Sequence, residues 1–199
     1  MTKNSSKLFF TLILFSTLFL LSAYNLNEDP MQQTSQSSDT HFDLMMSVLT
    51  HKRCINCHPS GDRPKQGEDS HIHLFEVARG EDGHGLPAMH CNTCHQEENN
   101  DFSGVPGAPH WHLAPRAMAW EGLNKFQIAE SMLDRQKNGG KSAEEIRRHL
   151  TEDPLVLWAF DPGKNLLGDD RERPPITEEA YIEAVNTWFE NGANIPNQN

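Results

Sequence analysis

The chain has 199 residues, 36% of them hydrophobic, with a formal net charge of −11 at pH 7 and a mean hydropathy of −0.65. That length suits one domain, and the apolar supply is thin for the core such a domain needs. An acidic chain repels phosphate backbones, which sets nucleic acid aside and favours partners that carry basic docking surfaces.

The first elements are an export segment and a tether. Lys3 and Lys7 precede an apolar run from Leu8 to Tyr24, broken only by Thr11, Ser16, Thr17 and Ser22, and no acidic residue comes before Glu28. This is the order of a secretory signal. Residues 1–24 are expected to be either a signal peptide, with Ser22 and Ala23 near the cleavage point, or an N-terminal anchor. The run is slightly shorter than the ~20 residues of a full span. Either reading makes the protein periplasmic, or anchored to the outer face of the inner membrane, with no other contact to the bilayer. Residues 25–39 are polar and rich in Gln and Ser, as expected of a flexible linker. The folded domain should then occupy 40–199.

Phe42, Met45, Met46 and Leu49 fall at i, i+3, i+4 and i+7, which predicts a helix over 40–50. From Cys54 to Arg116 the chain is punctuated by Gly and Pro and reads as loop. Helices return in the last third. Asn124 caps one that carries Phe126, Ala129, Met132 and Leu133 and stops at Asn138-Gly139-Gly140. Ser142 and Glu145 form a capping-box pattern ahead of Ile146 to Leu150. Thr177 starts a final helix with Tyr181, Ile182, Val185, Trp188 and Phe189 on one side, ended by Asn191-Gly192. No strand alternation is visible. The class is mainly α, with short helices and long loops.

All four cysteines lie in two copies of one pattern, Cys54-Ile-Asn-Cys57-His58 and Cys91-Asn-Thr-Cys94-His95. Cys-x-x-Cys-His is the attachment pattern of a c-type haem. Its spacing lets one turn of chain bring two thiols to the two vinyl groups of one porphyrin. The histidine that follows lies under the iron as its proximal ligand. The long loops would then pack on two covalent haem c groups, which supply the missing core. Cys54 and Cys57 would hold the first haem and Cys91 and Cys94 the second, with His58 and His95 on the irons. A four-thiolate zinc site meets a wide gap between the pairs and an oxidising compartment. Redox-active Cys-x-x-Cys pairs want a βαβ context that is absent from the pattern, and plain disulfides leave both histidines unexplained.

Each iron has a sixth position, for which His and Met are the usual ligands. Nine further histidines are present, most of them in the loop-rich middle. His71 and His73 alternate, as do His110 and His112, so one of each pair can face a haem. His73 and His112 are the distal candidates. His149 sits on a helix and could insert edge-on. Met89 and Met118 are the methionine alternatives, while Met45 and Met46 belong to the core face of the first helix. Trp111, Trp120 and Trp158 are expected against porphyrin faces or in the core. Arg53, Arg63, Lys65 and Arg79 cluster around the first motif, as propionate partners or as a solvated basic face.

Over Cys54 to His95 the chain resembles c-type cytochromes, specifically small exported dihaem ones, which implies a cytochrome c-like fold. The helix from Ile176 to Ala193 is similar to their closing helix. The stretch from Gly104 to Pro115, Gly-Val-Pro-Gly-Ala-Pro-His-Trp-His-Leu-Ala-Pro, followed by Met118-Ala-Trp-Glu-Gly122, resembles bacterial proteins labelled isoquinoline 1-oxidoreductase subunit. That resemblance implies the electron-accepting, non-catalytic partner of a molybdenum hydroxylase. The function expected is periplasmic electron transfer without a catalytic residue. A dihaem peroxidase-like enzyme or a haem-based sensor subunit is the alternative, and each would need an open iron position.

Overall fold

The computed structural model describes residues 30–197, with side chains from residue 39 onward. The expected signal or anchor, residues 1–24, and the first part of the expected linker, residues 25–29, lie outside the described residues. Among the described residues no helix is long and apolar enough to cross a membrane.

Helix α1 spans Pro30–Leu49 and so begins inside the segment read as a flexible linker. Over 30–39 that reading is replaced by helix. Proline is pre-set for the first helical turn, and Met and Gln carry little helical penalty. Once the second half of α1 is fixed by packing, extending it costs little, because nucleation is already met. Residues 38–199 form one compact unit.

In that unit α1 buries Phe42, Met45, Met46, Val48 and Leu49. Helix α2, Lys52–Ile55, follows at once and opens the first Cys motif. Helix α3, Lys125–Leu133, has the capping box of Asn124 and Gln127 at its start. It stops at Asp134, before the expected Asn138, and Asn138 Nδ2 instead donates to Met132 O at 2.7 Å. Helix α4, Ala143–Glu152, has the Ser142–Glu145 capping box. Asp153 ends α4 and caps α5, Pro154–Leu157, through its side chain. Helix α6, Glu178–Glu190, is capped by Thr177 and buries Tyr181, Ala184, Val185 and Trp188 at helical spacing. The core closes where α1, α3, α4 and α6 meet. The Phe42 ring lies 5.8 Å from Phe126 and 6.0 Å from Trp188, centroid to centroid.

The middle of the chain is loop with two minimal hairpins. β1 (Lys65–Gln66) pairs antiparallel with β2 (His71–Ile72), and β3 (Gly85–Leu86) with β4 (Met89–His90). Two-residue strands are too short to leave a period in the sequence. The loops are tied across by single backbone bonds. Leu113 N donates to Gly83 O at 2.9 Å, and Ala114 N donates to Cys57 O at 3.1 Å. Gly83 has φ +87°, and a Cβ there would stand 2.6 Å from Leu113 O, so only glycine fits. The described residues are therefore helix-rich, with a few short strands and no closed sheet among them, as the mainly α reading expected.

Candidate functional site

Both Cys motifs curl in the same way. In the first, which begins on α2, the amides of Cys57 and His58 both return to Cys54 O at 3.1 Å. In the second, a 3₁₀ turn over Cys91–Thr93, the amides of Cys94 and His95 return to Cys91 O at 3.2 and 2.9 Å. One turn of chain thus carries two thiols and a histidine in each case.

The two histidines also share an environment. His58 Nδ1 lies 2.7 Å from Met118 O, and His95 Nδ1 lies 2.7 Å from Pro106 O. A carbonyl only accepts, so each Nδ1 carries the proton and each Nε2 keeps its lone pair for a metal. Trp120 stacks on His58 at 3.6 Å between centroids, and Trp111 stacks on His95 at 4.4 Å. Burial pushes both imidazoles down to about 4, against the opposing pull of their carbonyl partners. At neutral pH both are uncharged, the form that ligates.

A cavity of about 190 Å³ opens over the first motif. Cys54, Cys57 and His58 line one part of its wall, and His112 and His149 also face it. Burial pushes the Cys54 thiol up to about 12 and the Cys57 thiol up to about 11. Trp120 Nε1, on this wall, and Tyr181 OH, close enough to Cys54 to interact with it, are buried without a hydrogen-bond partner among the described residues. An orphaned indole donor on a cavity wall beside two thiols fits a site that receives a group with acceptor atoms.

The second motif is more open, and Cys94 is exposed. Around it the chain presents apolar side chains to solvent: Ile72 at 53%, Leu74 at 55% and Phe75 at 78% exposure, with Leu86 and Met89 on the adjoining hairpin. A concentration of this kind marks a surface that something covers. His73 sits within this stretch. Its ring centroid is 6.1 Å from that of His95, with the planes at 69°. Two imidazoles bound to one metal through bonds of about 2.0 Å hold their centroids about 6 Å apart. His73 Nδ1 is engaged by Leu74 O at 2.8 Å, which again leaves Nε2 free. The residues of both motifs fit haem in donor type, in tautomer and in apolar surroundings.

His112, the other distal candidate, lines the first cavity; its Nδ1 is held by His110 O, which leaves Nε2 free, and its ring lies 5.0 Å from His84. Met118 is on the His58 side: its carbonyl accepts a hydrogen bond from His58 Nδ1, and its sulfur accepts from Ser131 Oγ at 3.6 Å. Met89 lies on β4 and is exposed. The basic cluster is engaged by protein groups: Arg53 with Glu68, Arg63 with Glu76, Lys65 with Glu121, and Arg79 with the carbonyls of Gly61 and Ala114. No two of the four cysteines form a disulfide. Among the described residues no three His, Cys, Asp or Glu side chains gather as a metal cage, so the four-thiolate zinc arrangement is not formed. A haem iron asks for only two protein ligands.

Reading the sequence by itself missed two features of this site. Trp120 is in the core, one of the two places expected for it, but its stacking on His58 and that of Trp111 on His95 left no signal in the sequence. His149, which was noted only as a residue that could insert, is paired with Asp153 at 2.9 Å. The one signal for that pair was their i, i+4 spacing at the end of a helix.

Compared with known proteins, the chain matches no family model, no curated protein and no solved structure.

Proposed function

We propose that this protein is a periplasmic dihaem c-type cytochrome that passes single electrons between redox proteins. The observation that carries the reading is the twofold repetition of one site. Each Cys-x-x-Cys-His turn offers two thiols and an imidazole whose Nδ1 is held by a backbone carbonyl, so that Nε2 keeps its lone pair for a metal. Haem c bound at each motif supplies a one-electron ferric/ferrous couple.

The chain's own groups do the rest. The carbonyls of Met118 and Pro106 fix the histidine tautomers and raise their basicity. Trp120 and Trp111 hold the imidazole planes by stacking. His73 stands at the right separation from His95 for the sixth position of the second iron. The segment Leu113-Ala114 bonds to Gly83 with one amide and to Cys57 with the next, and Cys91 Sγ lies 3.8 Å from Gly83 O. The two motifs are thereby held side by side, which suits a short relay. The acidic net charge favours a basic partner, and a molybdenum hydroxylase is the donor that the resemblance of 104–122 implies.

The test is a haem count with visible spectra on the full chain, made with a c-type maturation system. The expected result is two low-spin haems per chain and no change on adding carbon monoxide to the reduced protein. One haem that binds carbon monoxide would favour the peroxidase or sensor reading. Absence of haem would overturn the proposal.

A further inference from the structure

We propose that His149, oriented by Asp153, is the sixth ligand of the iron at the first motif. This rests on the dihaem reading above and adds the residue that closes the first coordination sphere. Helix α4 presents Ile146, His149 and Leu150 to the cavity that Cys54, Cys57 and His58 also line. Ile146 and Leu150 are buried, so the helix face on which His149 stands is fixed by packing. A ligand on a packed helix is held more tightly than one on a loop.

The two oxygens of Asp153 have separate tasks. Oδ1 accepts from Leu155 N at 2.9 Å and caps α5. Oδ2 lies 2.9 Å from His149 Nδ1. The carboxylate fixes the proton on Nδ1, so Nε2 keeps its lone pair for a metal, the arrangement of a carboxylate–histidine–metal triad. His112 faces the same cavity from a loop, and its ring is packed beside His84, with no carboxylate on its Nδ1. Among the described residues the second site has no carboxylate on either imidazole: Leu74 O and Pro106 O accept hydrogen bonds from the two Nδ1–H groups. A carboxylate makes the imidazole a stronger donor and favours ferric iron, so the first haem should have the lower potential of the two.

The experiment compares the full haem-loaded chain with His149→Ala, His149→Met, His112→Ala and Asp153→Asn. For His149→Ala we expect two haems per chain, one of them converted to a high-spin form that binds one carbon monoxide per chain when reduced. His112→Ala should leave both haems low-spin. His149→Met should raise one potential and leave the other unchanged, and this arm decides if the alanine variant does not mature. Asp153→Asn should raise the same potential while both haems stay low-spin, which a merely structural role for Asp153 would not do. The proposal fails if His149→Ala or His149→Met leaves both spectra and both potentials unchanged, or if His112→Ala is the variant that opens a haem. A wild-type chain with two haems, the one at the first motif already open, overturns the ligation by His149 and leaves the dihaem reading standing. A wild-type chain without haem overturns the dihaem reading itself.

Discussion

Glu121 ties the first motif to the segment that stacks on it. Its carboxylate accepts from Ser60 N at 2.9 Å and from Ser60 Oγ at 2.8 Å, and it pairs with Lys65. Its own amide and that of Trp120 donate to His58 O. Lys65, and after it the two Ser60 donors, hold the carboxyl down at about 2. A depressed carboxyl contributes stability that is present above its unfolded value and is lost as pH falls through the folded one. Stability should therefore fall between roughly pH 4.5 and 2, the window set by the ordinary carboxylate value and the shifted one. Glu121→Gln should flatten that acid limb. The effect should be on the order of 1 kcal/mol, because the side chain is partly exposed and the ion pair is screened. Denaturant midpoints measured against pH for both proteins check it. At the same scale, Cys94→Ser should leave one haem firmly attached at Cys54 and Cys57, read as a pyridine haemochrome count falling toward one per chain.

Helix α4 carries a binding residue only as well as its ends are fixed. Ser142 Oγ accepts from Glu145 N, and Glu145 Oε2 accepts from Ser142 N at 2.8 Å. Ser142→Ala should cost about 1 kcal/mol, a typical value for a lost N-cap. A lowered melting temperature with unchanged haem spectra would show that α4 is weakened without being displaced. The connection between the motifs depends on Gly83 in the same way. Gly83→Ala adds a methyl where Leu113 O stands and forces a side chain to φ +87°. It should destabilise by more than about 1 kcal/mol, since strain of this kind typically costs 1–3 kcal/mol. Because Leu113-Ala114 also holds Cys57, both haem spectra should respond to the single change.

At the scale of the whole molecule, the charge and the paired motifs bear on rate. A chain of net charge −11 should meet a basic partner faster at low ionic strength. Electron-transfer rates from a basic donor should fall steeply as salt rises, and a flat salt profile would point to an apolar docking face. The apolar shelf of Ile72, Leu74 and Phe75 lies by the second motif, where Cys94 is exposed, whereas the thiols of the first are half-buried and face a cavity. Exchange with partners is therefore expected at the second haem, with the first as the inner station.

Some of this was legible in the chain of residues. Two Cys-x-x-Cys-His motifs, three capped helices and a loop-rich middle are local patterns: spacing, capping and turn residues act within a few positions. The apolar faces of α1 and α6 were legible for the same reason, since a period of 3.6 residues names the buried side. Other features depend on contacts between distant segments. The carbonyl of Met118 reaches His58 across 60 positions, and Leu113-Ala114 joins two motifs that have no pattern in common with it. His73 is picked out by its approach to His95, and His149 by sharing a wall with His58. Loops leave no period, so which of nine histidines faces which motif is decided only when the chain closes on itself. The sequence by itself determined the two motifs on which the proposed haem chemistry rests. Tertiary packing decided which imidazoles stand near them, because side chains distant in sequence meet only when the chain closes on itself.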